Sequence, residues 1–66
     1  METKCREIID YRFVKVELMD GTIIEGCPIS LEYADETERG IDNIGIQVDD
    51  KTVIGIWEDE IKKWKA

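Results

Sequence analysis

The sequence of 66 residues has no histidine, one proline and two cysteines. Without histidine, the chain lacks the commonest general base and the commonest metal ligand of proteins. Cys5 and Cys27 are too few for a structural zinc site and too far apart for a Cys-x-x-Cys motif. Ser30 is the only serine and has no histidine to activate it. We therefore expect no enzyme, no metal site and no cofactor.

Long apolar runs are also missing, so no segment is expected to span a membrane. Residues 1–7 contain no apolar stretch of the kind that a signal peptide needs. A cytoplasmic protein with two reduced thiols is therefore expected. Cys27 stands in a strand-like stretch, and we predict that it is a small buried hydrophobic residue.

Positive charge is scarce, because 9 Lys and Arg face 16 Asp and Glu, which gives a net charge of −7. Residues 17–60 carry a charge of −11, whereas residues 61–66 carry +3. The acidic middle repels phosphate backbones, so non-specific binding of nucleic acid is disfavoured. It serves either solubility alone or the binding of a basic partner. The polar residues 34–43 are predicted to form an exposed loop, whose candidate acidic surface consists of Asp35, Glu36, Glu38 and Asp42.

Alternation of apolar and polar residues predicts β-strands along most of the chain. Residues 12–19 alternate cleanly, with β-branched residues on one face. Asp20-Gly21 follows at once, and this pair is the strongest short-range signal for a hairpin with the next strand.

The second strand, residues 22–33, contains Gly26 and Pro28, which are residues typical of bulges and bends. A strand that bends midway allows a small sheet to curl. Further strands are predicted at residues 44–48, 52–57 and 61–65, with a helical turn at residues 58–60 and another within residues 3–10. The chain is therefore expected to be a single all-β domain over residues 1–66. It comprises an N-terminal helical or irregular segment, residues 1–11, and a five-stranded, strongly bent antiparallel small barrel, residues 12–65.

The predicted core follows from the inward-facing aliphatic positions of these strands. Its members are Val14, Val16, Leu18, Ile24, Ile29, Leu31, Ile44, Ile46, Ile54, Ile56 and Ile61. The fourth strand carries no charge from Thr52 to Trp57, and an apolar, unprotected edge invites pairing with another strand. The candidate partner or oligomer contacts are therefore Trp57, Trp64, Tyr33, Glu58, Asp59 and Glu60.

The stretch from Val14 to Trp64 resembles the Sm-like family of small β-barrels, which share their strand pattern with SH3-like barrels. The matching features are the strand Val14-Lys15-Val16-Glu17-Leu18, the pair Asp20-Gly21, the bend at Gly26, and Asn43 before apolar Ile44. Short bacterial proteins of this family often carry a tail similar to Trp57-Glu58-Asp59-Glu60-Ile61. The resemblance implies a short N-terminal helix, a ring in which the fourth strand of one subunit pairs with the fifth of the next, and RNA binding at the ring pore through Asn43.

Two departures from the family pattern concern that pore. The segment between Gly26 and Asn43 is longer than usual and acidic, and residues 57–60 contain no Arg-Gly pair. The leading prediction is therefore a non-enzymatic, self-associating module that contacts protein partners. Two alternatives stay open, namely an acidic decoy from a mobile element that inhibits a nucleic-acid-handling protein, and RNA or nucleotide binding at a ring pore.

Overall fold

A computed structural model describes residues 3–66 of the chain. These residues form a short helix, α1, and five strands, β1 to β5, with single 3-10 turns at Ala34–Glu36 and Glu58–Glu60. The bounds are Lys4–Ile8 for α1, Val14–Leu18 for β1, Ile23–Glu32 for β2, Asn43–Gln47 for β3, Val53–Trp57 for β4 and Ile61–Lys65 for β5. None of the helical segments within residues 3–66 has the length and apolar character needed to cross a membrane.

All strand pairs are antiparallel, and the strand order in the sheet is β4-β3-β2-β1-β5. The predicted hairpin between β1 and β2 is confirmed. Gly21 has a φ of +92°, which favours glycine, and the Asp20 carboxylate accepts a hydrogen bond of 2.9 Å from the Thr22 amide. The expectation of a mostly β chain with five antiparallel strands is therefore confirmed, and the strands form one sheet. The pairing does not close the sheet, so β4 and β5 are its two edges.

Strand β2 is shared between two strand pairs, and Gly26 marks the change. Its N-terminal half pairs with β1, where Val14 lies opposite Gly26, and its C-terminal half pairs with β3 from Cys27 onwards. A Cβ atom on Gly26 would overlap the carbonyl oxygen of Gln47 and lie 2.9 Å from its carbonyl carbon. Only glycine permits β3 to come this close. This contact gives a physical reason for a glycine at the position where a bulge or bend was predicted.

A β-bulge in β2 makes one core prediction wrong. Pro28 lies opposite Ile46 and Ser30 lies opposite Gly45, so Ile29 is the extra residue between them. Its side chain is 50% exposed instead of joining the core. A bulge leaves its extra residue unpaired, and the alternation that was read through Ile29 is shifted there by one position.

A second bulge orients β5. Ile61 lies opposite Leu18, whereas Lys63 lies opposite Glu17, which leaves Lys62 as the extra residue. Ile61 and Trp64 can therefore both face the core although they are three residues apart. Strict alternation from Ile61 would direct Lys63 inward, but both Lys63 and Lys65 are exposed.

The core lies between the sheet and α1. Its fully or nearly buried hydrophobic members are Cys5, Ile8, Val14, Val16, Ile24, Ile44, Ile46, Ile56 and Ile61. Leu18, Leu31 and Ile54 are partly buried against this cluster. The sequence pattern missed Cys5 and Ile8, which α1 contributes, and the prediction that Cys27 is buried is wrong, because its thiol is exposed.

Candidate binding surfaces

Asp42 lies inside the protein, although the sequence suggested a place on the acidic loop surface. Its side chain is only 1% exposed. One carboxylate oxygen accepts hydrogen bonds from the Thr3 hydroxyl and from Arg6 Nε at 2.9 Å. The other accepts from Arg6 Nη2 at 3.3 Å and from the Ala34 amide at 2.8 Å. Asp42 therefore fastens α1 and the loop after β2 to the start of β3.

The environment of Asp42 keeps the group ionised. Burial alone would raise the pKa of this carboxyl group. The hydrogen bonds from Thr3, Arg6 and Ala34, together with the charge of Arg6, outweigh burial and hold the pKa below its ordinary value. The group is thus a buried negative charge with a structural role, balanced by the Arg6 guanidinium.

Glu58 also binds α1 from within the chain. Its carboxylate accepts hydrogen bonds from the backbone amides of Lys4, at 3.2 Å, and Cys5, at 2.9 Å. Both amides lie in the first turn of α1, where no intrahelical acceptor is available. Burial, followed by the adjacent Glu58 carboxylate, raises the pKa of the Cys5 thiol far above its ordinary value. Cys5 is therefore a packed thiol without nucleophilic character.

Trp57 is the centre of a surface that two separate acidic segments form together. The Arg39 guanidinium lies 4.9 Å from the centroid of the Trp57 ring. The same guanidinium donates to both carboxylate oxygens of Asp59, at 2.8 and 3.4 Å. The loop after β2 thereby meets the turn after β4. We call this region the acidic aromatic surface, and its members are Trp57, Arg39, Glu32, Glu36, Glu38 and Asp59.

The other predicted contact residues divide between surface and turn. Asp35, Glu36 and Glu38 are exposed, as expected for the acidic loop. The Glu36 carboxylate also accepts a hydrogen bond of 3.3 Å from the Tyr33 amide, which closes the 3-10 turn that follows. In the same way, the Glu60 carboxylate accepts a hydrogen bond of 2.8 Å from the Trp57 amide. These two glutamates therefore shape turns as well as contributing charge.

Tyr33 and Asn43 each lie beside a residue described above. Tyr33 is near Arg6, and Asn43 is paired with Trp57. The Arg6 guanidinium lies 4.8 Å from the centroid of the Tyr33 ring, which is partly exposed. Asn43 pairs with Trp57 across β3 and β4, and its amide oxygen would lie 3.3 Å from a Cβ atom on Gly55. Asn43 is half-buried, and its side chain makes no hydrogen bond with residues 3–66.

Trp64 is not part of the surface around Trp57. Its ring is half-buried against the core, and its centroid lies 5.3 Å from that of Tyr11. A groove beside it holds Lys15, Lys63 and Lys65, which sequence reasoning did not bring together. The signal available in the sequence was the lysines at positions 63 and 65 of the last strand, but the strand that faces them could only be known from the pairing of β1 with β5.

The comparisons return no match to a protein-family model, to a curated protein or to a solved structure. Function must therefore be argued from the surfaces themselves. Across residues 3–66, no three Asp, Glu or Cys side chains come together in a way that could hold a metal ion.

Proposed function

We propose that this protein is a non-enzymatic interaction module of Sm-like barrel type, and that it self-associates through the edge of β4. The observation that carries the proposal is the character of this edge. Strand β4 pairs with β3 on one side only, and its residues from Val53 to Trp57 include no charge and no proline. Val53 is 48% exposed. Natural edge strands are usually protected by charge, proline or a bulge, so an edge without them supports strand pairing.

The opposite edge of the sheet offers a complementary partner. Strand β5 carries Lys62, Lys63 and Lys65, whereas acidic residues flank β4 at both ends, namely Asp49 and Asp50 before it and Glu58 and Asp59 after it. An antiparallel β4–β5 contact between two copies places these flanks near the lysines of β5. Because the two edges differ, the contact is heterologous, and repeated contacts give a ring or an open chain.

Sedimentation velocity over a concentration series tests the proposal. We expect the wild type to form species larger than its 7.7 kDa chain as concentration rises. Val53→Lys places a charge on the free edge and should shift the protein to the monomer. Ile29→Lys is the matched control, because Ile29 is a strand residue of similar exposure away from that edge, and it should associate like the wild type. A wild type that stays monomeric at millimolar concentration, or equal behaviour of both variants, would refute self-association through β4.

The acidic aromatic surface favours a second candidate function, the binding of a basic, nucleic-acid-handling protein as an acidic decoy. Within residues 3–66, Glu32 and Glu38 form no ion pair. The stacked Arg39 demonstrates that a guanidinium fits against Trp57. In a Trp64→Phe variant, where Trp57 is the only tryptophan, an oligo-arginine peptide should quench the tryptophan emission with an affinity that falls steeply with salt.

Binding of RNA by the free Asn43 amide is the remaining alternative, and the same fluorescence titration separates it from the acidic decoy. An RNA-binding protein should respond to U-rich or A-rich oligonucleotides and not to oligo-arginine. The acidic decoy predicts the reverse. No saturable response to either probe would leave strand pairing as the only use of this side of the sheet.

A further inference from the structure

We propose that the outer face of β1 and β5 is a docking site for an acidic segment of a partner protein that also carries apolar side chains. We call this face the lysine groove. Its outward-facing members are Lys15, Lys63, Lys65, Glu17 and Ile23, and Trp64, whose ring packs against the core, borders it. It lies on a face of the sheet and not on the β4 edge, although Lys63 and Lys65 also belong to the strand that the proposed self-association would use.

Strand register creates the groove. Lys15 lies directly opposite Lys65, and Glu17 lies opposite Lys63. Residues that lie opposite each other in an antiparallel pair point to the same side of the sheet, so all four side chains share the outer face. The bulge at Lys62 is what brings Lys63 and Lys65 to this face.

Positive charge in the groove is only partly neutralised. Glu17 is shared between Lys62 and Lys63, each at 3.6 Å, and Lys15 reaches Glu25 only at 4.0 Å. Lys65 has no ion pair with any carboxylate of residues 3–66. The groove therefore holds three lysines and one carboxylate, Glu17, which is also shared with Lys62, in a chain whose net charge is −7.

The pair of Lys15 and Lys65 points to a carboxylate ligand. Like charges directly opposite each other across two strands are destabilising in the free protein. A carboxylate placed between the two ammonium groups would relieve this repulsion. Beside them, the exposed side chain of Ile23, which lies in one row with Glu17 and Lys63, offers apolar contact area to a neighbouring residue of the same segment.

The interspersed carboxylates favour a protein segment over a nucleic acid. Glu25, Lys15 and Lys65 form one row across the sheet, and Ile23, Glu17 and Lys63 form the next. A nucleic acid carries a phosphate at every nucleotide and would bring negative charge against Glu17 and Glu25. A peptide can place its carboxylates only opposite the lysines and its apolar side chains opposite Ile23.

The test is a fluorescence titration of the Trp57→Phe protein, in which Trp64 is the only tryptophan. The probe is a synthetic peptide of alternating glutamate and leucine, and the controls are a peptide of alternating lysine and leucine and a single-stranded oligonucleotide of the same charge as the probe. We expect saturable binding of the acidic peptide alone. Tighter binding of the oligonucleotide, saturable binding of the lysine peptide, or no saturable binding of the acidic peptide would overturn the proposal.

Lysine variants locate the site. Lys15→Gln and Lys65→Gln should each weaken peptide binding about fivefold, the upper range for an exposed ion pair. The matched control is Lys51→Gln, because Lys51 is an exposed lysine on the turn before β4. It should change affinity less than about twofold by the same reasoning. An equal loss in the control variant would indicate general charge attraction and overturn the site.

Stability and charge reversal separate binding from folding. Because Lys65 faces a like charge and forms no ion pair within residues 3–66, Lys65→Gln should leave the urea midpoint of the free protein unchanged or higher. A lower midpoint would mean that Lys65 serves folding, against the proposal. The double variant Lys63→Glu, Lys65→Glu should lose the glutamate peptide and gain the lysine peptide. Retained preference for the glutamate peptide would place binding elsewhere.

Discussion

Replacement of Asp42 by asparagine tests the contact that holds α1 against the sheet. The variant keeps the shape of the side chain and one acceptor for the Ala34 amide, but it places an amide or a neutral oxygen against Arg6. Loss of one partner of a buried ion pair costs about 3–5 kcal/mol. The Arg6 side chain is 33% exposed, so water compensates in part, and we expect a loss of about 2–3 kcal/mol. A domain of this size has about 3–5 kcal/mol of stability in total, so about half would be lost.

Urea denaturation followed by tryptophan fluorescence and by far-ultraviolet circular dichroism measures this loss. Asp35→Asn is the matched control, because Asp35 is an exposed aspartate of the same loop, and its free energy of unfolding should change by less than about 0.5 kcal/mol. A double-mutant cycle with Arg6→Met should yield a coupling energy of about 1–3 kcal/mol, since the two side chains are in direct contact.

The pH dependence of the same difference identifies its origin. The folded protein lowers the pKa of Asp42 below the value of about 3.9 that an unfolded chain shows. A lowered pKa in the folded state contributes stability above the unfolded pKa, and this contribution is lost as pH falls through the folded pKa. The difference in the free energy of unfolding between the wild type and Asp42→Asn should therefore have its full value at pH 7 and become smaller below about pH 4. The reasoning that the ionised Asp42 holds α1 would be refuted if Asp42→Asn lost no more stability than Asp35→Asn. It would also be refuted if the difference between the wild type and Asp42→Asn stayed constant down to pH 2.

Two further predictions concern packing and thiol chemistry. In urea denaturation, Gly26→Ala should lower the free energy of unfolding by about 3 kcal/mol, because its Cβ would overlap the backbone of Gln47. Gly55→Ala, whose Cβ would meet only a side chain, should lower it by about 1 kcal/mol or less. Equal losses in the two variants would contradict the close approach of β3 to Gly26. In the native protein, Cys27 should react with a thiol-specific reagent like an exposed small thiol, whereas Cys5 should react only as the protein unfolds, since burial and Glu58 raise its pKa. Equal native rates for the two thiols would show that Cys5 is not buried between α1 and the sheet.

Local patterns in the sequence were sufficient for most of the strand positions. The alternation in β1, the turn at Asp20-Gly21 and the bend at Gly26 each depend on residues that are neighbours in the chain or on the backbone freedom of a single glycine. The same patterns failed at Ile29, because the bulge there is a feature of the β2–β3 pair and is not encoded by alternation within β2 alone.

The candidate surfaces required tertiary structure because they join residues that are distant in sequence. Arg6 and Asp42 are 36 residues apart, and nothing near Asp42 indicates that a helix will supply its counterion. Arg39 reaches Asp59 across 20 residues. Acidic residues of similar local appearance thus became a buried anchor at Asp42 and an exposed surface at Glu38.

By itself, the sequence determined an acidic, mostly β chain with its strands at particular places, since composition and period-two alternation are local properties. Only the tertiary structure decided which charges are buried, which two strands are the edges of the sheet and which lysines share a face with Lys15. The physical reason is that strand register and the packing of α1 set these relations, and both depend on the free energy of contacts between segments that the chain order keeps apart.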